Sequence, residues 1–324
     1  MNPSSSLLTR RALLLAGAAA ATGTAFAQGA ATPVRILVGA PAGGTTDTMA
    51  RIISADLGRA LGRPVVVENR PGAGGNIAAE AVARSAPDGS TLLMSFTSHA
   101  INASLYPKLP FDPERDFTPL TMVSTSTALL VGNPKVPASN LRELIAYAKA
   151  HPGKLNFAIG ALGSSVHLAG EAFKMMSGTY IVNIPYKGTS PALQDVLAGQ
   201  VDLMFANVGN AQAHVRAGKL KLFGVTSPKR LAAFPDTPAI GEVLPGYQSQ
   251  AWFGLFGPGH MAPDVARRIS DAARQAIASP EVAKRIEGEG ATPVGDSPED
   301  FARFVHEEIG RWAKVVKYSG AKAE

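Results

Sequence analysis

Residues Val34–Arg51 read VRILVGAPAGGTTDTMAR. Val34 to Val38 is an apolar run of strand length. Gly39-Ala40-Pro41-Ala42-Gly43-Gly44 then breaks the chain, and Thr45, Thr46 and Asp47 are good helix-start residues. Met49, Ile52, Ile53, Leu57, Ala60 and Leu61 recur at helical spacing. The unit is strand, glycine turn, helix. A turn of Ala42, Gly43 and Gly44 leaves the first helix amides unobstructed at the positive end of the helix dipole, which suits an anion. The expectation is a small carboxylate held here with no chemistry done on it.

Outward from this unit, the N-terminal side reads as an export leader. Arg10-Arg11 precede the alanine-rich apolar run Ala12–Ala21, and Ala25-Phe26-Ala27 fits a small-x-small cleavage rule, which places the cut between Ala27 and Gln28. The run is too short for a membrane-spanning helix. Thr9-Arg10-Arg11-Ala12-Leu13-Leu14 suits a twin-arginine signal, and an ordinary secretory signal carrying two arginines explains it as well. Residues 28–324 suffice for two domains of ordinary size. Loss of Arg10 and Arg11 takes the formal charge from +6 to +4. That charge is mild and spread out, which argues against nucleic acid. Cysteine is absent, so disulfides, thiolate metal sites and cysteine nucleophiles are excluded.

Towards the C-terminus the pattern of the first unit repeats. Strands are predicted at Pro64–Asn69, Thr91–Phe96, Leu120–Val123, Ala128–Val131, Leu155–Ile159, Tyr180–Pro185, Val201–Phe205, Leu220–Thr226 and Ala251–Phe256. Between them lie helices at Ile77–Arg84, capped by Asn76, from Thr97-Ser98-His99 to near Leu105, at Leu141–Ala150, capped by Ser139, from the turn ending at Ser165 through Met176, from Pro191 to about Ala198 and at Asn210–Ala217. Ser227–Pro245 reads as a long loop, and Pro263–Ala278, Pro280–Glu287 and Pro298–Tyr318 as closing helices. Such alternation predicts an α/β protein whose mainly parallel sheets carry helices on both faces. Two series, roughly 33–127 and 130–248, imply two lobes. The final helices lack a sheet of their own and return to the first lobe. The polar Ser124–Thr127 link and the strand at Ala251–Phe256 are then two crossings of a hinge with a cleft between the lobes.

Ligands of open parallel sheets collect beyond the carboxyl ends of strands. Five turns there carry small or polar residues: Gly43–Asp47, Thr97-Ser98-His99, the turn holding Gly160, Gly163, Ser164 and Ser165, Tyr186-Lys187-Gly188-Thr189-Ser190, and Ala206-Asn207. Any α/β protein needs glycines and caps at such turns. Two glycines followed by Thr-Thr-Asp exceed what a cap requires, and so does Gly163-Ser164-Ser165, so these two read as ligand loops. Gly72–Gly75 lacks the dinucleotide spacing and its acidic partner and reads as structural. Asp47 suits a dipole partner, or a contact to a ligand amine. His99 and His167 read as structural, Trp252 and Phe253 as core, and Lys187 is the one cation in these turns. Ser164 and His167 lie three apart but no G-x-S-x-G elbow is present. Metal-binding H-E-x-x-H and phosphate-binding G-x-x-x-x-G-K-[ST] patterns are also missing, so no metal or cofactor is expected.

Five segments together resemble the Bug receptors, the solute-binding proteins of tripartite tricarboxylate transporters. They are PAGGTTDTMAR at 41–51, ENRPGAGGNIAAEAVARSAPDGSTLL at 68–93, YKGTSPALQDVLAGQVDLMF at 186–205, KLKLFGVTSPKR at 219–230 and WFGLFGP at 252–258. The resemblance implies a two-lobed periplasmic Venus-flytrap fold, type II-like, with lobe 1 at 28–127 plus 249–324 and lobe 2 at 128–248. It implies a small carboxylate or an acidic or amide amino acid as ligand, and binding loops at Gly43–Asp47 and Gly163–Ser165. It also implies membrane permease subunits as partners, although such receptors occur without a matched permease. Where the family often reads Met-Phe-Asp-Asn, this chain has Met204-Phe205-Ala206-Asn207, which weakens any inference to an amino-acid ligand. The expectation is a monomeric exported receptor for a small carboxylate. The alternatives are an exported hydrolase using Ser164 and His167, or a sensor module that reports occupancy to a membrane partner.

Overall fold

The runs Leu120–Val123 and Ala128–Val131, expected as separate strands, are one. The computed structural model describes residues 32–160 and 163–323, and in it a single 16-residue strand, β4, covers Phe117–Gly132. The Ser-Thr-Ser-Thr link stays extended because each residue has a strand partner. Ser124 to Thr127 pair with β9 (Gln250–Pro258), and Ser124 to Ser126 also pair with β10 (Ala291–Pro293). β-branched threonines favour that geometry.

Around β4 a ten-stranded sheet assembles. On one side β2 (Val65–Asn69), β1 (Val34–Val38) and β3 (Thr91–Phe96) are parallel, and β9 runs antiparallel between β3 and β4. On the other side β4 meets β7 (Leu203–Asn207) and β8 (Lys221–Val225) antiparallel, and β7 continues in parallel through β5 (Asn156–Ile159) to β6 (Val182–Pro185). The outer strands are parallel because helices connect them. The middle is antiparallel because β4 and β9 carry the chain in opposite directions between the two halves, so the sheet as a whole is mixed.

Helices α1 (Thr45–Leu61), α2 (Asn76–Ala83) and α3 (Ser98–Leu105) follow β1, β2 and β3. Helices α4 (Leu141–Ala150), α5 (Ser165–Ser177), α6 (Thr189–Ala198) and α7 (Val208–Arg216) belong to the second half, and α8 (Pro263–Ala278), α9 (Pro280–Gly288) and α10 (Pro298–Ser319) follow β9. Period-2 alternation divides the core. Ile36, Val38, Leu92 and Met94 pack on one face with Met49, Ile53 and Leu57, and Leu37 and Leu93 face Ala78, Val82, Trp252 and Phe256. In the second half Leu129 and Val131 pack with Ala192 and Val196, while Leu130 joins Phe157, Phe173, Phe205 and Phe223.

The closing helices pack back onto the sheet, with α8 against α1 of the first half. They also bring β10, which sequence pattern misses because three residues ending in proline carry no periodic signal. Helix α10 packs against both α3 and α5. It is pinned to β9 by buried Glu308, which accepts hydrogen bonds from Trp252 Nε1 (3.2 Å), Trp312 Nε1 (2.9 Å) and Arg311 Nε (2.8 Å). Two expected caps move by one residue. Asn140, not Ser139, caps α4, accepting from the Glu143 amide at 3.0 Å, and Gly75 precedes α2 at φ +96°. The leader at 1–27, with Ala161 and Leu162 of the second glycine turn, lies outside the described residues. No described helix is long and apolar enough to cross a membrane.

Candidate functional site

A cavity of about 470 Å³ opens where the turns of the two sheet halves face each other. Gly74, Ser98, Asn102, Leu105 and Tyr106 line it from the first half, Gly163, Ser164, Pro185 and Tyr186 from the second, and Lys322 and Ala323 from the segment after α10. A smaller hollow of about 330 Å³, lined by Asp56, Arg59 and Ser279 among others, contains none of the candidate residues.

Two helix starts border the larger cavity. In α3 the amides of Ala100 and Ile101 both bond the Thr97 carbonyl, which leaves those of Ser98 and His99 without a protein acceptor among the described residues. In α5 the Ser164 hydroxyl accepts from the His167 amide at 3.3 Å, and Leu168 takes the Ser164 carbonyl, which leaves the Ser165 and Val166 amides without a protein acceptor among the described residues. The half-buried Ser98 hydroxyl adds a further donor. Open amides at helix starts are what an anion needs.

Each wall is held from behind. Gly163 adopts φ +73° and its amide donates to His167 Nδ1 at 2.9 Å. That bond requires a lone pair on Nδ1, so the proton sits on Nε2, which faces Glu171 Oε1 at 3.5 Å. Glu171 is buried and also receives Lys174 Nζ at 2.7 Å and Asn183 Nδ2 at 2.6 Å. Burial opposes its ionisation, but His167, Lys174 and Asn183 together outweigh it and hold the carboxyl down at about 2. Across the cavity, Asn102 donates to the Gly74 carbonyl (3.1 Å) and to Asn76 Oδ1 (2.8 Å), tying the β2–α2 turn to α3. The Tyr186 hydroxyl donates to Asp195 at 2.7 Å; burial, then that bond, pushes its phenol up to about 12.

Of the residues predicted as a site, Ser98, Gly163, Ser164 and Tyr186 line this cavity. Ser165 contributes an open amide beside it. The start of α1 does not line it. There Ala42, Gly43 and Thr45 are exposed, Gly44 is the uncapped N-cap, and Thr46 is buried. The Asp47 carboxylate is used internally, accepting from the Gly43 amide, Arg51 Nε and Asn69 Nδ2, each at 2.9 Å. Burial opposes its charge, but those three partners keep its carboxyl below the ordinary range. The Thr97 hydroxyl accepts from the Trp252 amide at 2.9 Å, and His99 Nε2 bonds the Pro113 carbonyl at 2.8 Å inside an aromatic cluster. Gly160 and Gly188 let two turns meet, since the Gly188 amide donates to the Gly160 carbonyl and a Cβ on Gly160 would come 2.9 Å from the Thr189 nitrogen. Lys187 and Asn207 are exposed, and Asn207 precedes α7 without capping it through its side chain.

Among the residues that pattern reading passed over, Gly74 belongs to the turn read as structural. Asn102 sits one helical turn after Ser98, a buried polar position that such spacing could have flagged. Nothing local marks Leu105, Tyr106, Pro185, Lys322 or Ala323. No group of metal-ligating side chains occurs among the described residues.

Comparison with known proteins sets this geometry in a family. Protein BugT of Bordetella pertussis is 40% identical over 295 residues, covering 90% of each chain. The solved structure of R. palustris Rpa4515 with adipate matches with a TM-score of 0.74 at 35% identity, over 90% of this chain and 98% of that one. MatC (Rpa3494) from Rhodopseudomonas palustris with bound malate matches with a TM-score of 0.70 at 35% identity, over 88% and 98%. Residues 49–321 match the family described as tripartite tricarboxylate transporter family receptor, TctC, and the chain belongs to that family.

Proposed function

We propose that this protein is a periplasmic solute-binding receptor that captures a small carboxylate in the cavity between the two halves of its sheet. The observation that carries the reading is the pairing of two helix starts, at Ser98 and Ser165, whose first amides have no protein acceptor among the described residues, beside one cavity whose described lining holds no acidic residue. Relatives bound to adipate and malate support the ligand class. In this reading lobe 1 is 28–127 with 249–324, lobe 2 is 128–248, and β4 and β9 are the hinge. The protein acts as a monomer and delivers its ligand to membrane subunits of a tripartite carrier.

The energetics are sufficient without an arginine clamp. Micromolar binding needs about 8 kcal/mol. A partly buried helix end supplies up to about 2 kcal/mol, and each hydrogen bond to a charged group about 1.5–3 kcal/mol. Four or five amide and hydroxyl donors therefore reach the target. A hydrolase reading lacks its base, because both nitrogens of His167 are turned to Gly163 and Glu171 rather than to the Ser164 hydroxyl.

Thermal melting against malate, adipate, citrate and glutamate tests the proposal. A ligand at 100 times its Kd adds about 2.7 kcal/mol, which is a rise of several degrees for at least one acid. No shift with any of them at millimolar concentration overturns the carboxylate assignment. Exposed Lys187 has no ion-pair partner among the described residues and stands outside the lining. Lys187→Ala is therefore expected to change calorimetric affinity less than about threefold, whereas a loss above about thirtyfold would show charge pairing at that turn.

A further inference from the structure

Among the described residues that line the cavity, Lys322 is the single charged one. Its place is set by main-chain bonds on either side. Helix α10 ends at Gly320, in the left-handed region at φ +66°, where the chain leaves the helix axis. The Ala321 amide then donates to Ser319 Oγ at 3.2 Å, and the Ala323 amide to the Leu105 carbonyl, also at 3.2 Å. Ala321 and Ala323 pack against the core, while Lys322 between them is exposed. Its ammonium has no ion pair or hydrogen bond among the described residues. Lys174 and Lys221, by contrast, are both spent, one on Glu171 and the other on the carbonyls of Val136 and Ala138.

We propose that Lys322 is the specificity-determining counter-charge for a second carboxylate, so that this receptor selects dicarboxylates over monocarboxylates. The proposal rests on the carboxylate reading of the cavity and deepens it. The helix starts at Ser98 and Ser165 offer neutral donors to one carboxylate group. A second carboxylate in the same cavity loses water and meets no other cation in the described lining, so an ammonium within reach offsets its desolvation.

Calorimetric titration of the whole protein with adipate, malate and hexanoate tests the assignment. Lys322→Gln removes the charge at an exposed position and keeps the fold, which a melting curve verifies. The expected result at low salt is a Kd for adipate or malate weakened about tenfold or more, hexanoate unchanged within about twofold, and Lys322→Arg close to wild type. Dicarboxylate affinity unchanged in Lys322→Gln, or an equal loss for hexanoate, overturns the role of Lys322 while leaving the receptor reading in place. If the wild-type protein gives no heat with any of the three acids, the carboxylate reading falls and the assignment with it.

Discussion

Glu171→Ala is expected to cost about 3–5 kcal/mol of stability, the cost of leaving a buried charge without its partner. Lys174 is 8% exposed and Glu171 4%. Without the carboxylate, the Lys174 ammonium keeps, among the described residues, the Asn183 side chain at 3.1 Å and the Ile181 carbonyl at 3.4 Å. The same substitution removes the group that faces His167 Nε2 and so loosens the Gly163 turn, and ligand affinity falls together with stability. Because the Glu171 carboxyl is held at about 2, against 4.5 ordinarily, its contribution is complete above pH 4.5 and is lost as pH falls towards 2. Chemical denaturation of the variant and wild type at pH 7 measures the cost. Glu171→Gln combined with Lys174→Met, which removes both charges, should recover most of it. A loss under about 1 kcal/mol in the single variant would show that the network is not a support of the loop.

The second large effect belongs to His99 and appears as a pH dependence. The imidazole is 5% exposed and lies 4.9 Å from both the Phe117 and Phe256 rings, edge-on to the first and stacked on the second. Burial lowers its pKa to about 4, which the bond to Pro113 only partly opposes. The unfolded chain takes up a proton near pH 6.5, whereas the folded chain does so only near 4. Stability is therefore full above pH 6.5 and declines as pH falls to 4, by about 3 kcal/mol in all. His99→Phe leaves the Pro113 carbonyl unpaired, at a cost of about 1 kcal/mol, but flattens this slope. Denaturation midpoints between pH 4 and 7 compare the two proteins, and equal slopes would contradict the assignment of the titration to His99.

How much of this was legible follows the range of the interactions. Val34–Arg51 declares β1 and α1 because its signals are local: Met49, Ile53 and Leu57 recur at helical spacing, and all three are fully buried. The continuity of β4 is not local. Ser124–Thr127 look like a linker until β9 and β10, more than 120 residues downstream, supply the pairing that keeps them extended. The same limit shapes the site. The turns at Ser98, Gly163 and Tyr186 announce themselves as open helix starts or strand ends. The glycines of Gly43-Gly44 announce the same, yet composition reveals only that amides are uncovered, not which way the uncovered face points. Lys322 is beyond local reading, since its position depends on where α10 ends and on a single amide bond to Leu105.

Amide chemical shifts of the isotope-labelled protein, followed during titration with malate and with adipate, test the central claim that a carboxylate sits between the starts of α3 and α5. The expected result is saturable binding of one acid per chain, with the largest shifts at Ser98, His99, Ser165 and Val166. Saturation with the largest shifts confined to Thr45–Asp47, or no saturable shift at millimolar acid, would contradict it.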